Sequence, residues 1–238
     1  MDTQKTGIIG GTLFFETNLL DGFSHKTVKT EFGNVDVFSK DDLIFIQRHG
    51  KEKLPPHLVN HRANIAAFLQ SGVKKILSAI SVGSLKLEIA MGSVILPHDY
   101  MQFTNFLSMT DDSSSHILPT MFNPFRTQML SIINQLDLPV ITKGIYFNTE
   151  GPRFETAAEI SFMEQFADIV GMTMAKEAVL AQEMGIDYVA LCSIDNYAHG
   201  ISEDEISYDI LISESKRNAV GIFQLIQTII REINVNSH

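Results

Sequence analysis

An α/β fold is predicted for this 238-residue chain, a single domain spanning residues 1–238 with helices on both faces of a mixed sheet. Short apolar, β-branched runs recur along the chain, and stretches with helical spacing separate them. The composition agrees, since 45% hydrophobic residues suffice to bury one sizeable core at this length.

The first apolar run, Gly7-Ile8-Ile9, opens into Gly10-Gly11-Thr12. Leu43 to Gln47 reads as an apolar strand, and the segment Gly33 to Gln47 has an antiparallel hairpin as its alternative reading, so the sheet need not be all parallel. Further buried strands are read at Lys75 to Ser81, Ser93 to Leu96, Pro139 to Phe147, Asp168 to Met172 and Tyr188 to Ile194. Helical spacing occupies the intervals His57 to Gln70, Phe122 to Leu136, Glu155 to Phe166 and Lys176 to Met184. The terminal stretch from about Asp209 to Ile233 carries Ile210, Leu211, Ala219, Ile222, Phe223, Ile226, Ile229 and Ile230 at intervals of three and four, the pattern of one buried helical face. We find no repeat, low-complexity tract or linker.

Cys192 is the only cysteine, which excludes an intramolecular disulfide and a Cys-rich metal site and fits a reducing compartment. Met1 to Thr6 are polar and lack the flanks of a signal peptide, and nowhere do eighteen apolar residues run together. A cytoplasmic protein with no membrane segment is expected. With 28 acidic and 18 basic side chains the net charge is −10, which disfavours nucleic acid as a partner but leaves room for a small anion at a local basic site.

Several segments can carry chemistry. Gly10 and Gly11 let backbone amides approach an anion, and Thr12 adds a hydroxyl. Arg48-His49 follows a strand, where a planar guanidinium fork and an imidazole suit phosphate oxygens. Ser81 lies where a strand ends in small residues, Ile80-Ser81-Val82-Gly83. Phe154-Glu155 offers an aromatic face and a carboxylate before a helix, Met172-Thr173 ends a strand, and Asp195-Asn196-Tyr197 follows another. Each has an ordinary structural reading as well: a tight turn, a satisfied histidine, a helix start, a hydroxyl cap, a turn former. Their joint presence argues for a site that holds one phosphate and one aromatic base.

The chain resembles the trimeric purine nucleoside phosphorylase and 5'-methylthioadenosine phosphorylase family. The resemblance runs from Gly7 to about Asp209. It rests on GIIGGT at 7–12, RHG at 48–50, PPHLVNHRANI at 55–65, VGSL at 82–85, GPRFET at 151–156 and GMTMAKEAVLAQE at 171–183. It implies that Thr12, Arg48, His49 and Thr173 bind phosphate, assisted by backbone at Ser81. It further implies that Met172 lies against the ribose, Phe154 stacks on the base, and Glu155 and Asn196 face the base's polar edge. Phosphate then attacks C1' as the glycosidic bond loosens, with Asn196 as the catalytic candidate that relieves charge at N7. Inorganic phosphate is a co-substrate, and neither a metal nor an organic cofactor is implied.

The base preference follows from donors and acceptors. The methylthioadenosine enzymes typically carry two aspartates in the segment read here as Asn196-Tyr197-Ala198. An Asn amide can donate to O6 and accept from N7–H, Ala198 accepts nothing from an amino group, and Glu155 accepts from an N1–H that adenine lacks. A 6-oxopurine nucleoside is therefore expected: inosine, guanosine or 5'-methylthioinosine. A one-residue shift would put Asp195 at the base instead, and 5'-methylthioadenosine is the alternative substrate. Tyr208 is the candidate residue over the 5' substituent, able to pack on a thioether or bond a hydroxyl.

The family's habit of borrowing groups across subunits implies a homotrimer. Departures from its pattern include Leu13, Met91-Gly92-Ser93, Lys176 in place of a proline, His61 in place of a tyrosine and Ile80 in place of a polar residue. A non-catalytic nucleoside binder would not need the phosphate set. A nucleotide-dependent oxidoreductase would need an acidic ribose ligand after a second strand, and that region offers none that convinces.

Overall fold

The computed structural model describes residues 4–14, 20–110, 116–203 and 208–235. Its elements follow in chain order: β1 (Lys5–Gly10), β2 (Ser24–Thr30), β3 (Gly33–Lys40), β4 (Leu43–Gln47), α1 (His61–Gln70), β5 (Val73–Ser84), β6 (Val94–Ile95), β7 (Asp99–Gln102), α2 (Pro124–Gln135), β8 (Val140–Ile141), β9 (Ile145–Asn148), α3 (Ala157–Met163), β10 (Ile169–Gly171), α4 (Met174–Glu183), β11 (Asp187–Tyr197) and α5 (Tyr208–Val235). All the strands belong to one mixed sheet.

Strand β5 is its spine. On one edge it pairs in parallel with β11, from Lys75 opposite Asp187 to Ser84 opposite Tyr197. On the other edge β1 runs parallel to it as far as Gly10 opposite Ala79, and β10 joins antiparallel only at Gly83 and Ser84. Among the described residues, Ile80, Ser81 and Val82 therefore have no strand partner on that second edge. The sheet opens there, between the end of β1 and the start of β10.

Burial on both faces gives β1, β5 and β11 a period of two. Ile9, Ile76, Ile80, Ala190 and Cys192 pack with α1 and α4. Their neighbours Ile8, Leu77, Ala79, Val189 and Leu191 pack with α2 and α5. A smaller cluster of Leu85, Phe147, Ile160, Val170 and Ala198 seats α3. No helix among the described residues is long and apolar enough to cross a membrane.

The hairpin is present, with β3 antiparallel to β4. Helix α1 starts at His61 rather than His57, because Pro55 and Pro56 hold a short 3-10 turn and Asn60 caps the helix, its side chain accepting from the Ala63 amide at 3.0 Å. The single run read over Pro139 to Phe147 splits into β8 and β9. Gly144, at the break, lies so close to the Ile95 side chain that a Cβ would collide with it. Strands β2 and β7 went unread: β2 is mostly polar and exposed, with no alternation to mark it.

Candidate active site

Six segments converge on the opening in the sheet, and a cavity of about 260 Å³ lies there. Thr12, Arg48, His49, Ser81, Phe154, Glu155, Met172, Thr173, Asn196 and Ala198 all line it. Tyr208 is the first residue of α5, and its side chain falls outside the described part of the structure.

Arg48 leaves β4 with its amide bonded to the Gly10 carbonyl at 2.8 Å, which ties it to the end of β1. Its guanidinium passes so close to Gly11 that a Cβ there would meet Nη1, so the second glycine is required by this approach. Most of the fork is engaged within the protein. Nε donates to Glu177 Oε1 at 2.5 Å and Nη2 to Oε2 at 3.3 Å, while Nη2 also reaches Ser78 Oγ at 2.6 Å and Nη1 the Ala79 carbonyl at 3.2 Å. Of the five N–H donors a guanidinium carries, one on Nη1 is left without a partner among the described residues.

Glu177 is in turn saturated, accepting from Ser78 Oγ and from the Tyr188 hydroxyl, each at 2.8 Å. Burial pushes its carboxyl up, but the Arg48 charge and hydrogen bonds outweigh it and hold the group below its ordinary value. Because each charge is buried and compensated by the other, the pair is a neutral, rigid unit behind the cavity. His61 lies 3.8 Å from Glu177 Oε1, and burial lowers its pKa to about 3, so the ring is neutral. His49 Nδ1 sits 2.6 Å from the Leu54 carbonyl, an acceptor, so Nδ1 carries the hydrogen and Nε2 is the acceptor nitrogen. Burial and the Arg48 charge lower its pKa to about 4.

Thr173 precedes α4 as its N-cap residue, yet its side chain makes no cap hydrogen bond. The first amides of the helix are met instead by groups on β9: the Tyr146 hydroxyl takes Thr173 and Met174, at 3.2 and 3.4 Å, and Asn148 Oδ1 takes Ala175 at 3.2 Å. The Thr173 hydroxyl is thereby released from capping and stands on the cavity wall. Ser81 is not at a strand end, as read from sequence, but inside β5 at its unpaired edge.

At the other end of the cavity, Thr149 Oγ1 donates to Glu155 Oε1 at 2.5 Å. Phe154 beside it is half-buried. Asn196 likewise lies within a strand rather than beyond it. The β11–β5 register slips between Ile194, opposite Val82, and Asn196, opposite Gly83, so Asp195 is the extra residue of a β-bulge. Asn196 Nδ2 donates to the Tyr197 carbonyl at 2.8 Å, which orients the amide. A Cβ on Gly83 would lie 3.2 Å from that Nδ2, so the missing side chain there makes room for the amide. Asp195 is fully buried and does not line the cavity. The shifted alignment that would bring it to a ligand is thereby corrected: the carboxylate is held by Ser193 and Asn218 instead.

Sequence reasoning missed Ser78, Thr149, Tyr188 and His199, and it gave Glu177 no role. One signal was available: Glu177 falls on the buried face of α4 among Met174, Ala178 and Ala181, and a buried carboxylate demands a partner. Lys176, the departure from proline, also has one, Glu150 Oε2 at 2.6 Å. Ile80 lines the cavity as an apolar side chain. No group of three or more His, Cys, Asp or Glu able to hold a metal ion occurs among the described residues.

The family model of the Phosphorylase superfamily matches residues 5–231. A probable 6-oxopurine nucleoside phosphorylase of Archaeoglobus fulgidus is 39% identical over 233 residues, covering 95% of this chain and 96% of the relative. A probable S-methyl-5'-thioinosine phosphorylase of Methanocaldococcus jannaschii is 36% identical over 231 residues, covering 94% and 91%. Among solved structures, methylthioadenosine phosphorylase from Schistosoma mansoni in complex with adenine superposes with a TM-score of 0.84 at 23% identity, covering 98% of this chain and 93% of that one, a likeness of fold. With the fold and nearly the whole length in agreement, the chain belongs to the phosphorylase superfamily and is a nucleoside phosphorylase.

Proposed function

We propose that the enzyme cleaves 6-oxopurine nucleosides by phosphorolysis, with Asn196 and Glu155 reading the base. The observation that carries this reading is the base end of the cavity: an amide and a carboxylate line it, while Ala198 is apolar and Asp195 is turned away. A purine with an N1–H and an O6 offers a donor to Glu155 and an acceptor to the Asn196 amide. Adenine reverses both groups. The names of the two relatives support the same base class.

In the proposed reaction a phosphate oxygen forms a bond to C1' while the C1'–N9 bond breaks and its electron pair passes to the purine. The proton that phosphate gives up on forming the ester reaches N7 through solvent and neutralises the departing base, and the Asn196 amide oxygen accepts from that N7–H as charge develops. Phosphate is held by Thr12, Thr173 and the remaining Arg48 N–H, with a P–OH donating to His49 Nε2, close enough to the sugar to stabilise its growing positive charge. The Met172 backbone holds the ribose hydroxyls, Phe154 stacks on the base and Tyr208 stands over the 5' group. Phosphate is the co-substrate, no metal or organic cofactor takes part, and the active assembly is a cytoplasmic homotrimer.

The test is a phosphate-dependence assay with inosine, guanosine, 5'-methylthioinosine, adenosine and 5'-methylthioadenosine. Base release that requires phosphate and favours the 6-oxopurines is expected. Release without phosphate overturns phosphorolysis, and faster turnover of 5'-methylthioadenosine than of the inosine compounds overturns the base assignment.

A further inference from the structure

We infer that Asp195 is a positioning residue, one that fixes the β-bulge through which Asn196 is presented to N7 of the base. The inference rests on the proposed role of Asn196. In a parallel pair, opposed residues share a face of the sheet. Ile194, opposite Val82, belongs with the α1–α4 side, where Ile80 and Val82 also pack. Asn196, opposite Gly83, lies on the other face, one that strict alternation from Ile194 would not give it. The extra residue makes the switch, and that residue is Asp195.

A bulge interrupts the ladder, so something else must hold it. Asp195 Oδ1 accepts from Ser193 Oγ at 2.7 Å and from Asn218 Nδ2, on α5, at 2.8 Å. The same Asn218 amide reaches the Ile194 carbonyl at 3.4 Å, and that carbonyl also accepts from the Gly92 amide at 2.8 Å. After the bulge the chain is fixed again by the Ala198 amide on the Ser84 carbonyl at 2.8 Å. Between these two anchors the Asp195 side chain ties the bulged residue to α5 through Asn218. Burying a carboxylate is costly, and here burial pushes its ionisation above the ordinary value against hydrogen bonds led by that of Asn218.

The inference predicts a defect confined to the leaving group. Inosine departs as a purine that needs a proton at N7, whereas 7-methylguanosine already carries a positive charge there and departs neutral without one. Asp195→Ala and Asn218→Ala should lower kcat for inosine, by about tenfold and by a few-fold respectively, because small displacements of a positioned group cost rates of this order. The kcat for 7-methylguanosine and the KM for phosphate should stay within twofold of the parent. Asp195→Asn should restore most of the inosine rate, since an amide oxygen accepts from Ser193 and Asn218 as the carboxylate does. Equal losses on both nucleosides, or full inosine activity in both alanine variants, would overturn the inference. If Asp195→Ala does not fold, Asn218→Ala and Asp195→Asn decide it. Asn196→Ala separates the two levels: it should lower kcat about a hundredfold for inosine and far less for 7-methylguanosine, which loses only the contact to O6. If it treats the two nucleosides alike, the Asn196 role itself fails, and the inference with it.

Discussion

The two ends of the cavity are built on opposite principles. At the phosphate end, Arg48, Glu177, Ser78 and Tyr188 satisfy one another in full burial, and the one Arg48 N–H that network leaves over lies on the cavity wall with Thr12 and Thr173. At the base end, Glu155 and Asn196 each have a single supporting hydrogen bond and stand beside a half-buried Phe154. In the proposed reaction the preorganised end receives the reactant common to every substrate. The other end is lightly held, and in the same proposal two side chains there read the purine. Rigidity is thus placed with the shared chemistry, and selectivity with groups that few contacts constrain.

Removing Glu177's charge should break the contrast at its strongest point. Glu177→Gln leaves Arg48 buried without compensation, a change that costs about 3–5 kcal/mol in comparable buried pairs. A thermal or urea midpoint should fall accordingly, and the KM for phosphate should rise at least tenfold, with the preference between inosine and adenosine untouched. An unchanged phosphate KM in a folded variant would show that the Arg48 orientation does not matter to phosphate. Glu155→Gln is the counterpart: it should leave stability and phosphate KM alone and erode the base preference.

The phosphate end should also govern the acid response. His49 and His61 have folded-state pKa values of about 4 and about 3, below the unfolded value of about 6.5. Between those limits only the unfolded chain takes up the proton, so stability falls as pH drops from about 6.5 toward 4. Each ring contributes a slope of up to about 1.4 kcal/mol per pH unit. Asp195 works the other way, because a carboxyl raised in the folded state gains its proton there first. The two rings together should cost about 3–4 kcal/mol between pH 7 and pH 5, less what Asp195 returns, as read from urea midpoints, and His61→Gln should flatten the fall. A flat profile in the parent enzyme would contradict neutral, buried rings.

What the sequence made legible divides along the same line. Strand runs such as Leu43 to Gln47 and the apolar stripe of α5 were readable because burial imposes period two or 3.6 on local sequence. The residues that touch the cavity were readable because glycines, hydroxyls and Arg-His stand at the ends of those runs. The Glu177 network was not, since its partners lie 11 to 129 residues away in the chain and only the sheet brings them together. The bulge at Asp195 was equally hidden: polar Asp195-Asn196 after an apolar run reads as a strand exit until the register with β5 is known.

The smallest expected effect bears on the base end alone. Thr149 donates to Glu155 Oε1 at 2.5 Å and reaches the Gly171 carbonyl at 3.4 Å, so its hydroxyl links the carboxylate to the end of β10. Replacing it with valine keeps the shape and removes the donor. A hydrogen bond to a charged group is worth about 1.5 kcal/mol at the lower end of its range, or roughly tenfold in affinity. Thr149→Val should therefore raise the KM for inosine about tenfold, leave the KM for phosphate unchanged, and lose its effect when Glu155 is already glutamine, because the two changes then act on one contact. Thr149→Ser, which retains the hydroxyl, should restore the parent value. If valine instead weakens phosphate and inosine together, the two ends of the cavity are coupled, and the separation of shared chemistry from selectivity fails at the residue where it was most narrowly drawn.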